Sequence, residues 1–94
     1  MRSAGSNRMG GTDKRFVYIL RSVSDPTRHY VGLTSDVAKR LVWHNGPGGG
    51  HTGSGRPWAV VVAIEFRREA DAFHFERYLK SGSGRAFAKR QFAA

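Results

Sequence analysis

The sequence predicts a small α+β domain, and three observations lead there. Two β-branched and aromatic runs, residues 15–20 and 29–33, flank a turn marked by Asp25-Pro26, which is the pattern of a β-hairpin. A third, nearly continuous apolar run covers residues 58–66. Helical patterns fall between and after these runs, over 35–45, 68–80 and 85–92. The 94 residues make one domain at most, with one modest core.

Residues 1–13 are Gly, Ser, Arg and Asn with almost nothing apolar. They cannot bury enough surface to offset their ordering entropy, so a mobile tail is expected there, followed by a domain over 14–94. Pro26 presets φ for a tight turn, returning the chain into the second strand. If even positions pair with even positions, Phe16, Tyr18, Leu20, Tyr30 and Gly32 share one face of the hairpin. Tyr18 and Tyr30 then lie diagonally across neighbouring strands, and a slip of one residue would separate them.

Thr34 or Ser35 is the expected cap of the first helix. Around that helix Val37, Ala38, Leu41 and Val42 form an apolar arc. Asp36, Lys39, Arg40, Trp43 and His44 take the other side, with Arg40 and His44 four residues apart in one row, facing a partner. Residues 46–57 are Gly-rich but lack the Gly-Lys-Ser/Thr ending of a phosphate-binding P-loop. They read as a connecting loop, with Thr52 and Arg56 as its candidate contacts. The run 58–66 reads as a central strand covered on both faces. Gly82 and Gly84 read as the end of the second long helix. The last helix is expected to pack Phe87 inward and expose Lys89 and Arg90.

Composition narrows the function. Sixteen Lys and Arg against seven Asp and Glu give a net charge of +9, which favours a polyanionic partner, above all nucleic acid. The absence of cysteine excludes disulfides and thiolate metal sites. No apolar run approaches the ~20 residues of a membrane span, and no signal sequence is recognisable. A cytoplasmic protein, or a nuclear one in a eukaryotic source, is expected.

Glu76 is the most informative single residue. On the wheel of residues 69–80 it falls inside an arc made by Ala72, Phe73, Phe75 and Leu79. A carboxylate on a core-facing stripe needs a partner, either an ion pair or a bound cation. A hard oxygen suits Mg²⁺, which takes one or two carboxylates and completes its shell with water and phosphate oxygens. Arg40 suits two-point contact with a phosphate, and His44 can act as acid or base. A phenol of Tyr18 or Tyr30 can hydrogen-bond a water or a phosphate oxygen. His29, His51 and His74 read as surface residues, and the His spacing fits no zinc pattern.

These residues resemble the motifs of the GIY-YIG endonuclease superfamily. Phe16-Val17-Tyr18 stands for the first triplet, with Phe16 in place of its glycine, and Tyr30-Val31-Gly32 for the second, with Val31 in place of Ile. Arg40 to Asn45 resembles the helix carrying the family's catalytic Arg and a following His. Phe75 to Lys80 resembles the helix carrying its metal-binding Glu. The close, Leu79 to Arg85, resembles short, single-domain bacterial members. No Asn follows Asn45, whereas several members have one late in the domain.

The resemblance implies a small three-stranded antiparallel sheet flanked by helices. It also implies an endonuclease that cuts DNA, rather than RNA, with one Mg²⁺ or Mn²⁺, and a setting such as DNA repair. Tyr18, Tyr30, Arg40, His44 and Glu76 would be its catalytic residues and Glu76 its metal ligand. Water would be deprotonated by a phenolate or by His44. Lys39, Arg56, Arg77, Lys80, Arg85, Lys89 and Arg90 would hold the nucleic-acid backbone, whose contacts favour recognition of shape over base sequence. The alternative is a non-catalytic nucleic-acid-binding module on the same fold, with Glu76 in an ion pair.

Overall fold

The computed structural model describes residues 13–47 and 50–94, the latter without the His51 side chain. The tail expected over 1–13, Asp13 apart, and the surface placement of His51 lie outside the described residues. Strand β1 (Phe16–Ser22) and strand β2 (His29–Thr34) form the expected hairpin. Its turn is closed by Arg28 N–H donating to the Asp25 carbonyl at 2.9 Å, and the Asp25 carboxylate accepts from the Thr27 amide and hydroxyl. Tyr18 pairs with Gly32 and Leu20 with Tyr30, the even-with-even register.

Strand β3 (Trp58–Glu65) completes an antiparallel sheet in the order β2-β1-β3. The central strand is therefore β1, and β3 is an edge, contrary to what its apolar run predicts. Continuous apolar sequence signals burial on both faces, yet Ala59 and Val60 lie exposed on β3. The run also contains a bulge: Ile19 pairs with Val62 and Leu20 with Val60, leaving Val61 as the extra residue. Because of it, consecutive residues Val61 and Val62 both pack on the same side of the sheet.

Helix α1 (Val37–Asn45) is capped by Asp36, whose side chain accepts from the Lys39 amide at 3.0 Å. Thr34 holds the cap instead of being it, accepting from the Asp36 amide at 3.1 Å. The buried stripe of α1 is Val37, Leu41 and His44, while Ala38 and Val42 face solvent. The apolar arc read from sequence is thus rotated, because the helix buries a hydrogen-bonded histidine where the pattern had an aliphatic residue. Residues Gly50–Gly55, expected as a plain loop, form a 3₁₀ segment.

Helices α2 (Glu69–Leu79) and α3 (Gly82–Phe92) cover the opposite face. Ser81 caps α3 by accepting from the Gly84 amide, so Gly82 and Gly84 open α3 and do not close α2. Gly84 is needed for close approach: a Cβ there would overlap the Tyr78 carbonyl. The core on this face joins Val17 and Ile19 of β1 to Ala72, Leu79 and Ala88, with Phe75, Phe87 and Phe92 packed around them.

Candidate active site

The other face of β1 carries the polar cluster. Tyr18 is 1% exposed, and Leu20 and Trp58 pack beside it. Gly32, directly opposite Tyr18 in the ladder, leaves room for its phenol; a Cβ at Gly32 would overlap the phenol oxygen. The Tyr30 ring lies 6.2 Å from that of Tyr18 and 4.6 Å from the His44 imidazole, centroid to centroid. The diagonal pair of phenols expected from the register is present, with His44 against both.

His44 is completely buried, contrary to the expectation that it faces a partner beside Arg40. Its Nε2 lies 2.9 Å from the Tyr18 Oη and its Nδ1 3.0 Å from the Thr52 Oγ1. Arg40 lies close enough to act on the same phenol and stacks its guanidinium 3.9 Å from the Trp43 ring centroid. Tyr18, His44 and Thr52 thus form one buried hydrogen-bonded row with the imidazole at its centre.

Burial, above all, pushes the Tyr18 phenol up to about 12, and the Tyr30 phenol and the Glu76 charge act in the same direction. The Arg40 hydrogen bond and charge pull against them. Tyr18 is therefore a neutral phenol at physiological pH, a donor and not a resting base.

Glu76, from α2, is close enough for its charge to act on Tyr18. Its side chain is 13% exposed and ion-paired with Lys80 one turn later, so the pair that competes with a metal in the sequence reading is present, with Lys as partner. Among the described residues no three His, Asp or Glu side chains cluster as a metal cage. One largely buried carboxylate beside a site suited to phosphate still fits Mg²⁺, whose other ligands are water and phosphate oxygens.

The loop that pins His44 escaped sequence reasoning. Thr52 is buried, its carbonyl accepts from the Trp58 indole at 2.8 Å, and Asn45 clamps the Trp58 backbone through both its amide nitrogen and its oxygen. The signal available was Trp58 itself: an indole next to a Gly-rich stretch buries its ring where its N–H finds an acceptor. Arg56, expected on a phosphate, is exposed and also donates to the Gly53 and Gly46 carbonyls of this loop. Lys39, Arg77, Lys80, Arg85, Lys89 and Arg90 are exposed, as are His29 and His74. Lys80, Arg85 and Lys89 border one groove.

A three-stranded sheet with a phenol-centred cluster on one face and a single carboxylate from a following helix defines a catalytic domain of the GIY-YIG type. The GIY-YIG catalytic domain matches residues 14–91, and the chain belongs to this family of nuclease domains. It is similar to the structure-specific endonuclease subunit SLX1 of Candida dubliniensis, 39% identical over 71 residues, which are 68% of this chain and 25% of that protein. The slx1 subunit of Talaromyces marneffei is 42% identical over 65 residues, 63% of this chain and 17% of that protein. The SLX1 subunit of Malassezia globosa is 41% identical over 63 residues, 63% of this chain and 14% of that protein. The chain thus spans a quarter or less of the length of these curated relatives. They are fungal proteins, and they lend no support to the resemblance to short, single-domain bacterial members. No helix among the described residues is long and apolar enough to cross a membrane.

Proposed function

We propose that this domain hydrolyses phosphodiester bonds in branched or otherwise structured DNA with the help of one divalent cation. The observation that carries the reading is the convergence of Arg40, His44, Tyr30 and Glu76 on the Tyr18 phenol. Similarity to structure-specific endonuclease subunits supports the substrate class, and the net charge of +9 supports a polyanion. The place of action follows the DNA: the cytoplasm, or the nucleus of a eukaryotic source.

In this reading Glu76 holds Mg²⁺ or Mn²⁺, which supplies Lewis-acid stabilisation of charge on the phosphate and leaving oxygen. Binding it requires Lys80 to release the carboxylate. Arg40 donates to a non-bridging phosphate oxygen and offsets transition-state charge. Tyr18, hydrogen-bonded to His44, holds Arg40 in place against it. Tyr30, half-buried, is the phenol that orients the attacking water. His44 has no exposed surface to meet that water; it holds Tyr18 in place, with Thr52 behind it. Lys39, Arg77, Lys80, Arg85, Lys89 and Arg90 hold the backbone through contacts that sense shape.

The test is cleavage of labelled single-stranded, duplex, flap and four-way DNA with Mg²⁺ or Mn²⁺, comparing wild type, Glu76→Ala and Arg40→Ala, each checked for folding by circular dichroism. Metal-dependent cutting that both folded variants lose by a factor of at least about 100 supports the reading. Salt-sensitive binding without cutting on any substrate would replace it with a non-catalytic binding module.

A further inference from the structure

A groove of about 560 Å³ adjoins the phenol cluster at Tyr30 and runs between the hairpin and the α2–α3 corner. Half-buried Val31 and Tyr30 line it above the buried Ile19 and Leu79, and its rim carries Lys80, Arg85 and Lys89. Arg85 and Lys89 are four residues apart on α3 and so lie on one helix face. None of the side chains lining it is acidic. Across from the cations stands His29, whose pKa is lowered, mainly by burial and then by the nearby Arg21 charge, which leaves a neutral ring at physiological pH.

Lys80 also pairs with Glu76, so the groove begins where the candidate metal carboxylate ends. A row of cations beside an apolar floor and a neutral aromatic ring matches the two parts of an unpaired nucleotide strand. Phosphates take the cations and base faces take the floor and the ring. A duplex buries its base faces in its own stack and has none to offer such a floor.

We infer that this groove binds a single-stranded nucleic-acid arm adjoining the cleavage site. The inference deepens the nuclease reading and rests on it for the identity of the partner. It gives the domain a physical means to prefer junctions between duplex and single strand: the duplex lies at the phenol cluster and the unpaired arm runs past Lys80 into the groove.

The test is fluorescence anisotropy on the full chain in EDTA, where nothing is cut, so it stands apart from whether the domain is a nuclease. The probes are a short oligothymidylate, an abasic strand of the same length, and a duplex, each over a series of salt concentrations. Removing two cations in Arg85→Ala/Lys89→Ala should lower the log–log salt slope for the oligothymidylate by about 1.4, at about 0.7 per lost phosphate contact, and weaken its binding about tenfold or more. Duplex binding should fall much less. The abasic strand should bind wild type about tenfold more weakly than the oligothymidylate. His29→Glu, which leaves the α3 cations in place, should weaken the oligothymidylate selectively.

Equal losses on single strand and duplex, or an abasic strand that binds as well as the oligothymidylate, would overturn the inference. So would polyglutamate displacing the oligothymidylate at matched charge concentration, which would point to an acidic protein segment instead. Selective strand binding without metal-dependent cutting would keep the groove and remove the nuclease reading. Cutting with no selective strand binding would do the reverse.

Discussion

The two faces of the sheet are built from alternate residues of the same strand, and they do different work. On one face Val17 and Ile19 belong to an apolar cluster drawn from α2, α3 and the rest of the sheet. On the other, Tyr18 is as deeply buried as Ile19, yet it is tied to His44, and through His44 to Thr52, by hydrogen bonds. The helical face draws its stability from area removed from water. The phenol face places polar groups where burial is costly and satisfies each with a partner, which fixes their geometry for chemistry. A strand with a two-residue period lets one short segment serve both purposes.

The contrast can be broken most severely on the helical face. Ile19→Ala should cost about 2–5 kcal/mol, seen as a lower midpoint in urea. Gly32→Ala forces a methyl onto the Tyr18 phenol oxygen. It should cost about 1–3 kcal/mol by overpacking and lower cleavage in the molecules that still fold. Thr52→Val keeps the shape but removes the hydroxyl that partners the buried His44 Nδ1. A loss of about 1–3 kcal/mol is expected, together with a weaker hold on Tyr18.

The smallest effect is with pH. The Tyr18 phenol is raised from the ordinary 10.0 to about 12, so the unfolded chain loses this proton first as pH rises. Native stability that is intact below the ordinary phenol range should fall across that window, and Tyr18→Phe should remove this part of the dependence. An ultraviolet titration of the folded chain, which has three tyrosines, should show one that ionises only near 12.

Local signals made the hairpin, its register and the diagonal phenols legible in the sequence, because a two-residue period with a Pro-marked turn leaves few alternatives. The inward turn of Glu76 was legible for a similar reason: a charge inside an apolar arc is a conflict that structure has to resolve. What escaped depended on partners distant in sequence. The position of β3 at the edge is set by which strand pairs twice, and an apolar run does not state that. The burial of His44 needed Thr52, from a segment whose glycines gave no sign of order. The ties of Arg56 to the Gly46 and Gly53 carbonyls were hidden as well, because backbone partners are atoms that no side-chain pattern displays.

The central claim is that the Tyr18 face does the chemistry and the Val17 face holds the fold. The most direct test pairs Tyr18→Phe with Val17→Ala, measuring single-turnover cleavage of flap DNA with Mg²⁺ beside the urea midpoint of each. Tyr18→Phe should lose cleavage by about 100-fold with its ring still packed. Val17→Ala should lose about 1–3 kcal/mol of stability and cut at the wild-type rate per folded molecule. A Tyr18→Phe protein that cuts like wild type would contradict the account.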